Sequence, residues 1–377
     1  MASSMRGGGS ERQVLLLAKH LDRSRFEPHL YLTHREGSFL DQVPDDVTIH
    51  SPANQEKPPG IYIPGRQLRR QAAGVKDLVQ RFSIDVVYDR TFHMTLLASN
   101  APGSVRRVST IVSPPHLAVP FVEKRFVGLK HWRLASAYRR SHCVIAVSQA
   151  AADSAASYYG LPPQSIQVVR NGVDAKGLRE QADQQARTLK DQPLAEEQGR
   201  DTHRLLCVGR MTEEKGHADL LQAMACMLDQ KPELRLKLRL VGDGILRQSL
   251  EEQTRTLNLS RMIEFAGHQD SIAGEIKNAD ALILPSRFEG LPNVVLEAMA
   301  IGTPVIATRA GGTPELQRDR PTAFWAEPMD PPSLSHAIQC YLESPSLAQQ
   351  HAEAARDLIE SDHDLKNSID QIESHLT

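Results

Sequence analysis

This sequence is poor in cysteine, has no long apolar run and carries few aromatic residues, and each shortage removes a class of protein. Cysteine occurs at four widely spaced positions, Cys143, Cys207, Cys226 and Cys340. Three of them lie among apolar neighbours, so they read as reduced core residues of a cytosolic protein and not as a disulfide or zinc framework. No run of about 18 apolar residues exists, so no transmembrane helix is expected. The start, MASSMRGGGSER, lacks the apolar core of a signal peptide. No Asp-x-Asp stands at the end of a strand-like run. The basic half has no pattern of stacking aromatics and the whole is near neutral, which argues against a nucleic-acid protein.

What is present is ordinary globular material: 40% apolar and 24% charged residues in a chain of 377. That length exceeds what one core supports, so two domains are expected. The net charge of −2 hides an asymmetry. Through residue 172 there are 22 Lys and Arg against 13 Asp and Glu, and the rest has 22 against 33. A basic first half suits an anionic partner such as a membrane surface, a lipid phosphate or an acidic glycan, or it simply solvates helix faces.

Strand-like and helical patterns alternate along the first half. Glu11–Asp22, Gln67–Phe82, His93–Ala101, Phe121–Arg140 and Ala150–Tyr159 read as helices. His29–Thr33, Val47–His50, Ile84–Tyr88, Val105–Val112 and Cys143–Ser148 read as strands. Ala175–Thr202 is polar and reads as a linker with a surface helix. The alternation then restarts, from RLLCVG through ALILP to PVIAT, and Ala348–Leu376 reads as helical. Such alternation predicts parallel sheets covered on both faces. The expected division is 1–172, a linker at 173–202, a second domain at 203–345, and a helical segment at 346–377.

The densest signal runs from Pro285 to Leu316, PSRFEGLPNVVLEAMAIGTPVIATRAGGTPEL. Glu289 and Glu297 stand eight positions apart around Gly290-Leu291-Pro292-Asn293. A turn of this kind at a helix start leaves backbone N–H groups pointing outward, fit for an anion or sugar hydroxyls. The plainer reading, a buried helix with a capping glutamate, accounts for one carboxylate but not two.

This segment resembles the donor-binding signature of retaining glycosyltransferases of family four, a glutamate followed after seven residues by another, here EGLPNVVLE. Val208–Met224 (VGRMTEEKGHADLLQAM) resembles the family's Gly-Arg…Lys-Gly diphosphate motif. Val168–Asp174 resembles its interdomain strand end, and Gly7–Arg12 its amino-terminal glycine loop. The resemblance implies an α/β fold of GT-B type, two Rossmann-like, doubly wound parallel-sheet domains facing across a cleft, with the last helix crossing back to the first domain. Family members begin with an apolar strand before the glycine loop. Only Met1–Arg6 precede it here, so that strand is expected to be missing, either because the true start lies upstream or because the chain is truncated.

The resemblance also assigns roles. Arg210 and Lys215, flanked by Gly209 and Gly216, would hold the diphosphate. Fixed cations aimed where charge grows lower the barrier, and two of them can replace a divalent metal, so no metal or other cofactor is expected. Glu289 would contact the transferred sugar and Glu297 the ribose, with Gly290, Leu291, Pro292 and Asn293 orienting the donor. Gly242, Asp243 and Gly267 would line the nucleoside. Gly8 and Gly9 precede a helix and read as a phosphate approach or as a flexible tail. The family's usual site histidine has valine in its place, Val112, which leaves His93 and His116 as candidates. Phe121–Arg140 combines cations with Phe126, Leu129 and Trp132, and two readings stay open: a face resting on anionic membrane, or a sheet-covering helix with a solvated basic side. The expectation is a cytoplasmic hexosyltransferase, at the inner face of the cell membrane in the first of those readings. It would move a sugar from a UDP- or GDP-sugar to a glycan or lipid-linked acceptor with retention. A non-catalytic nucleotide-sugar-binding protein is the alternative.

Overall fold

A computed structural model describes residues 1–52, 65–190 and 202–377. The chain divides into two units, Met1–Gly172 with Lys366–Thr377, and Val173–Leu365.

The first unit runs α1 (Gly9–His20), β1 (His29–Tyr31), β2 (Thr48–His50), α2 (Arg66–Arg81), β3 (Val86–Arg90), α3 (Phe92–Ala98), β4 (Arg106–Ile111), α4 (Pro115–Val122), α5 (Val127–Arg139), β5 (Cys143–Ala146), α6 (Gln149–Tyr159) and β6 (Ile166–Val168). Strands β3, β4, β5 and β6 pair in that order, all parallel, and β1 pairs parallel with β2. Helix α2 forms because Ala72, Val75 and Val79 recur at helical spacing and bury one stripe, while arginines take the other side. Helix α6 has both terminal signals: Ser148 accepts the Ala151 N–H, and Gly160 stops it in the left-handed conformation.

The second unit runs α7 (Ala175–Lys190), β7 (His203–Val208), α8 (His217–Gln230), β8 (Leu236–Val241), α9 (Arg247–Thr256), β9 (Ile263–Gly267), α10 (Ala273–Asn278), β10 (Ala281–Leu284), α11 (Asn293–Ile301), β11 (Val305–Thr308), β12 (Phe324–Ala326), α12 (Pro331–Glu343) and α13 (Pro345–Asp362). Its strands lie in the order β12-β11-β10-β7-β8-β9, all parallel. Every residue of β10 and β11 is buried, as expected of strands covered on both faces. The last helix, α14 (Leu365–Leu376), belongs to the first unit. There Glu373 receives the Asp22 N–H at 2.8 Å and the Arg25 guanidinium at 2.9 Å.

Several expectations need correction. The 173–202 linker is in its described part a packed helix: α7 buries Leu178, Ala182 and Ala186 and lies on α10 and α11. The stretch 191–201 lies outside the described residues. Of the segment 346–377, α13 packs on α11 in the second unit, and only α14 joins the first. Phe121–Arg140 is not one helix. Pro120 stands in the last turns of α4, and the chain breaks before α5, with Phe126 at φ +58°. Met1–Met5 run beside β1 although they are hardly apolar. Ala2 bridges Leu32 in parallel, Ala2 and Met5 are buried, and the Met1 ammonium donates to the Tyr88 carbonyl at 2.8 Å. Of the four cysteines, all free, only Cys207 is fully buried. Among the described residues no helix is long and apolar enough to cross a membrane.

Candidate active site

Strand order fixes where chemistry gathers. From β7 the chain proceeds to β8 and β9 on one side, then returns to lay β10, β11 and β12 on the other. The connections leaving β7 and β10 therefore run toward opposite edges of the sheet, and the crevice at such a reversal is where open α/β sheets bind ligands. The loop after β7 is Gly209–Gly216, and the loop after β10 is Pro285–Pro292.

These two loops meet. Lys215 Nζ lies 2.6 Å from Glu289 Oε1, which also accepts the Ser286 hydroxyl at 2.7 Å. Glu289 is buried at 9% exposure, so its charge is compensated by a cation and a hydroxyl instead of by water. The approach needs glycine at two places. At Gly216, with φ +65°, a Cβ would fall 2.0 Å from the Pro285 carbonyl oxygen; at Gly311, with φ +55°, it would fall 1.9 Å from that of Glu289. The Arg287 N–H donates to the Glu214 carbonyl at 2.8 Å. The Arg287 guanidinium holds Asp219, in the first turn of α8, and reaches Glu213. Thr308 at the end of β11 donates to the Ser286 carbonyl at 2.5 Å.

The remaining second-unit candidates border this centre. Arg210 opens the same loop, is exposed, and forms no ion pair with a described residue. Gly290, Leu291 and Pro292 are buried, and α11 begins at Asn293, so the helix presents its amino end beside Glu289. The first N–H groups of a helix have no carbonyl of their own helix to meet. Glu297 is buried one turn into α11. Gly209, Gly242 and Gly267 are stitched side by side at the strand ends: Gly209 N–H donates to the Val241 carbonyl at 2.9 Å and Gly242 N–H to that of Gly267 at 2.8 Å. The exposed Asp243 carboxylate accepts the Gly244 N–H at 2.7 Å and faces Arg247 at 3.5 Å. Among the described residues no group of three or more His, Cys, Asp or Glu gathers as a metal set. A cavity of about 520 Å³ lined by His203, Asp280 and Pro304 opens at the other, amino-terminal end of these strands and does not meet the site.

In the first unit, the Gly8 N–H at the start of α1 donates to Glu11 Oε2 at 2.7 Å, and Ser4 also donates to Glu11. A side chain thus already serves the donor that the glycine loop offers, and Gly9 is exposed. The two histidine candidates are apart in their partners. His93 bonds Gln71 of α2 at 2.9 Å, and His116 on α4 bonds Ser154 of α6 at 2.6 Å.

Comparison with known proteins bears directly on this arrangement. Residues 7–176 match the profile described as Glycosyltransferase Family 4, and residues 190–358 match that of the Glycosyl transferases group 1. The chain belongs to glycosyltransferase family 4. Glycogen synthase of Mycobacterium tuberculosis is 32% identical over 229 residues, 60% of this chain and 51% of that protein. The chain thus spans about half the length of that curated relative. An N-acetylgalactosamine-N,N'-diacetylbacillosaminyl-diphospho-undecaprenol 4-alpha-N-acetylgalactosaminyltransferase of Campylobacter jejuni is 24% identical over 94% of this chain and 92% of its own. Anabaena HepE, solved in complex with UDP and glucose, has a TM-score of 0.80 at 22% identity, covering 100% of this chain and 98% of the other. That likeness shows the GT-B fold.

Within this family-4 chain, sequence reasoning missed the residues that hold the two loops together. Ser286, Arg287 and Asp219 carry no spacing signal, since their pairing depends on how β7 and β10 adjoin. His217 was missed as well. It starts α8 directly after the Lys-Gly pair, is 2% exposed, and neither ring nitrogen has a hydrogen-bond partner among the described residues. Burial, reinforced by neighbouring Lys215, lowers its pKa to about 4.

Proposed function

We propose that the chain transfers a hexose from a nucleoside-diphosphate sugar to an acceptor hydroxyl with retention of anomeric configuration. The observation that carries this reading is the Lys215–Glu289 contact at the strand-order reversal, beside the amino end of α11. An ammonium has three donors, and Glu289 uses one, so Lys215 can keep Glu289 in place while meeting a phosphate oxygen. Arg210, exposed and uncommitted to any described carboxylate, supplies a two-pronged contact to the same diphosphate. Glu289 lies against the sugar, Glu297 binds the ribose hydroxyls, and Gly290–Asn293 orient the donor. Gly242, Asp243 and Gly267 border the nucleoside.

In the reaction the bond from the anomeric carbon to the diphosphate oxygen breaks, and its electron pair stays on that oxygen. Negative charge grows there and positive charge grows on the ring. Lys215 and Arg210 stabilise the first and the Glu289 carboxylate the second, without reorganisation at the moment of reaction. The acceptor oxygen bonds the anomeric carbon on the face the diphosphate leaves, and its proton passes to the departing diphosphate oxygen. No covalent intermediate with the protein is needed. With two cations on the diphosphate, the reading requires no divalent metal.

The acceptor class is a glycan or lipid-linked glycan, which is what the printed names of the Mycobacterium and Campylobacter relatives motivate. The test is release of nucleoside diphosphate from UDP- and GDP-sugars, with and without such acceptors and with a chelator present. Release that follows acceptor and persists in chelator, with an axial anomeric product from an axial donor by NMR, supports the reading. Tight donor binding with no release would instead make the chain a nucleotide-sugar binder.

A further inference from the structure

Of the large apolar side chains exposed among the described residues, five cluster within a stretch of sixteen positions: Leu117 at 42% exposure, Val122 at 65%, Phe126 at 71%, Leu129 at 54% and Trp132 at 64%. They surround the break between α4 and α5. Phe126, Leu129 and Trp132 follow one another at three-residue spacing, so they line one side of α5 and the turn before it. The other side of α5 buries Leu134, Ala135, Ala137 and Tyr138 in the unit. The outer side is therefore not needed for the core, yet it is among the most apolar surface the unit presents.

Phe126 adds a second cost. It holds φ +58° and ψ +30°, the left-handed region that favours glycine, with its ring in water. Its carbonyl accepts the Lys130 N–H at 3.0 Å and so begins α5, but its ring gains no burial from the fold as it stands. Burial of the ring against another phase removes the cost of its exposure.

Charge identifies that phase. Lys124 and Arg125 sit in the break itself, exposed and in no ion pair with a described residue, while the nearby Glu123 is taken up by Lys130 at 3.8 Å. Arg133 follows Trp132. Long cationic side chains beside aromatic and aliphatic ones match a layered surface, acyl chains beneath and anionic headgroups above. The charge balance through residue 172, 22 Lys and Arg against 13 Asp and Glu, favours approach to such a surface. We infer that the α4–α5 break is a peripheral membrane-docking site: Val122, Phe126, Leu129 and Trp132 enter the headgroup–acyl boundary of an anionic bilayer, and Lys124, Arg125 and Arg133 pair with its headgroups. The inference does not rest on the transferase reading, since docking needs no donor sugar.

The chain has two tryptophans, Trp132 and Trp325, so Trp325→Phe leaves Trp132 as the sole emitter. The experiment mixes the full chain with vesicles of phosphatidylcholine alone or with phosphatidylglycerol, and reads both co-sedimentation and Trp132 emission. Wild type supplies the sedimentation data independently of how well Trp325→Phe folds. Docking predicts sedimentation with the anionic vesicles only, a blue shift of Trp132, and weakening by salt. Phe126→Ser/Trp132→Ser should abolish it, and Lys124→Glu/Arg125→Glu should reduce partitioning by about tenfold or more. Failure to sediment with anionic vesicles at low salt overturns the inference. So does sedimentation with Trp132 emission unchanged, which would put contact elsewhere. Equal binding to neutral vesicles overturns the anionic assignment. Lipid-free self-association lost in the Phe126/Trp132 double variant would mark the face as a contact between copies.

Discussion

Arg287 grips Asp219 through both carboxylate oxygens, at 2.8 and 3.0 Å, although 68 residues separate them. Neither side chain is proposed to touch the donor. Their pairing, with the Arg287 contact to Glu213, fixes the distance between the loop that carries Lys215 and the loop that carries Glu289. Arg287→Ala should therefore lower stability by about 1–3 kcal/mol. It should also lower kcat/KM by roughly ten- to a hundredfold through misplacement. Arg287→Lys keeps the charge but loses the fork, so it should recover only part of either loss. Denaturant melts and steady-state kinetics on the two variants check this.

Gly311 tests the same geometry from the backbone. Its Cβ would fall 1.9 Å from the Glu289 carbonyl oxygen, and its φ is +55°. Gly311→Ala must displace Glu289 or the loop after β11, at a cost of about 1–3 kcal/mol, and with a loss of turnover. Gly74 is the control. It lies inside α2 with open space around it, so Gly74→Ala should be neutral or stabilise by about 0.5–1 kcal/mol and leave turnover unchanged. Equal melting behaviour in the two variants would contradict the account.

His217 makes stability depend on pH. Its pKa falls from 6.5 to about 4 on folding, because burial and then Lys215 disfavour the imidazolium. Between those values the unfolded chain binds a proton that the native state does not. The contribution is thus complete above about pH 6.5 and is lost as pH falls toward 4, amounting to at most about 3 kcal/mol. His217→Leu should flatten the change in urea midpoint between pH 7 and pH 5 relative to wild type. An unchanged slope would show that His217 is not the group responsible.

Much of the fold could be read from the chain because its strands are short apolar runs closed by glycine or proline. The runs Ala281–Pro285 and Val305–Thr308 are buried throughout, and their ends carry the site. Glu289 and the Arg210–Lys215 loop were legible because each lies shortly after a strand end, and Glu297 was legible from its fixed spacing to Glu289. What was hidden depends on contacts between distant segments. Nothing local says that Arg287 will meet Asp219, or that the polar run from Ala175 will pack its few apolar residues on α10 and α11. Phe121–Arg140 misled for a different reason: its composition is helical throughout, and only the backbone at Phe126 reveals the break. Met1–Met5 misled because three buried side chains, Ala2, Ser4 and Met5, and a few backbone hydrogen bonds hold them beside β1 without an apolar run.

The central claim is that Lys215 and Glu289 form one site for a diphosphate-linked sugar. Calorimetric titration of UDP and GDP into wild type, Lys215→Ala and Glu289→Gln, alongside turnover of the matching sugars, tests it most directly. The account predicts that one nucleotide binds wild type and that Lys215→Ala loses both that binding and turnover, the latter by about a hundredfold or more. It predicts that Glu289→Gln keeps most of the nucleotide affinity and loses turnover. Undiminished nucleotide affinity and turnover in Lys215→Ala would contradict it.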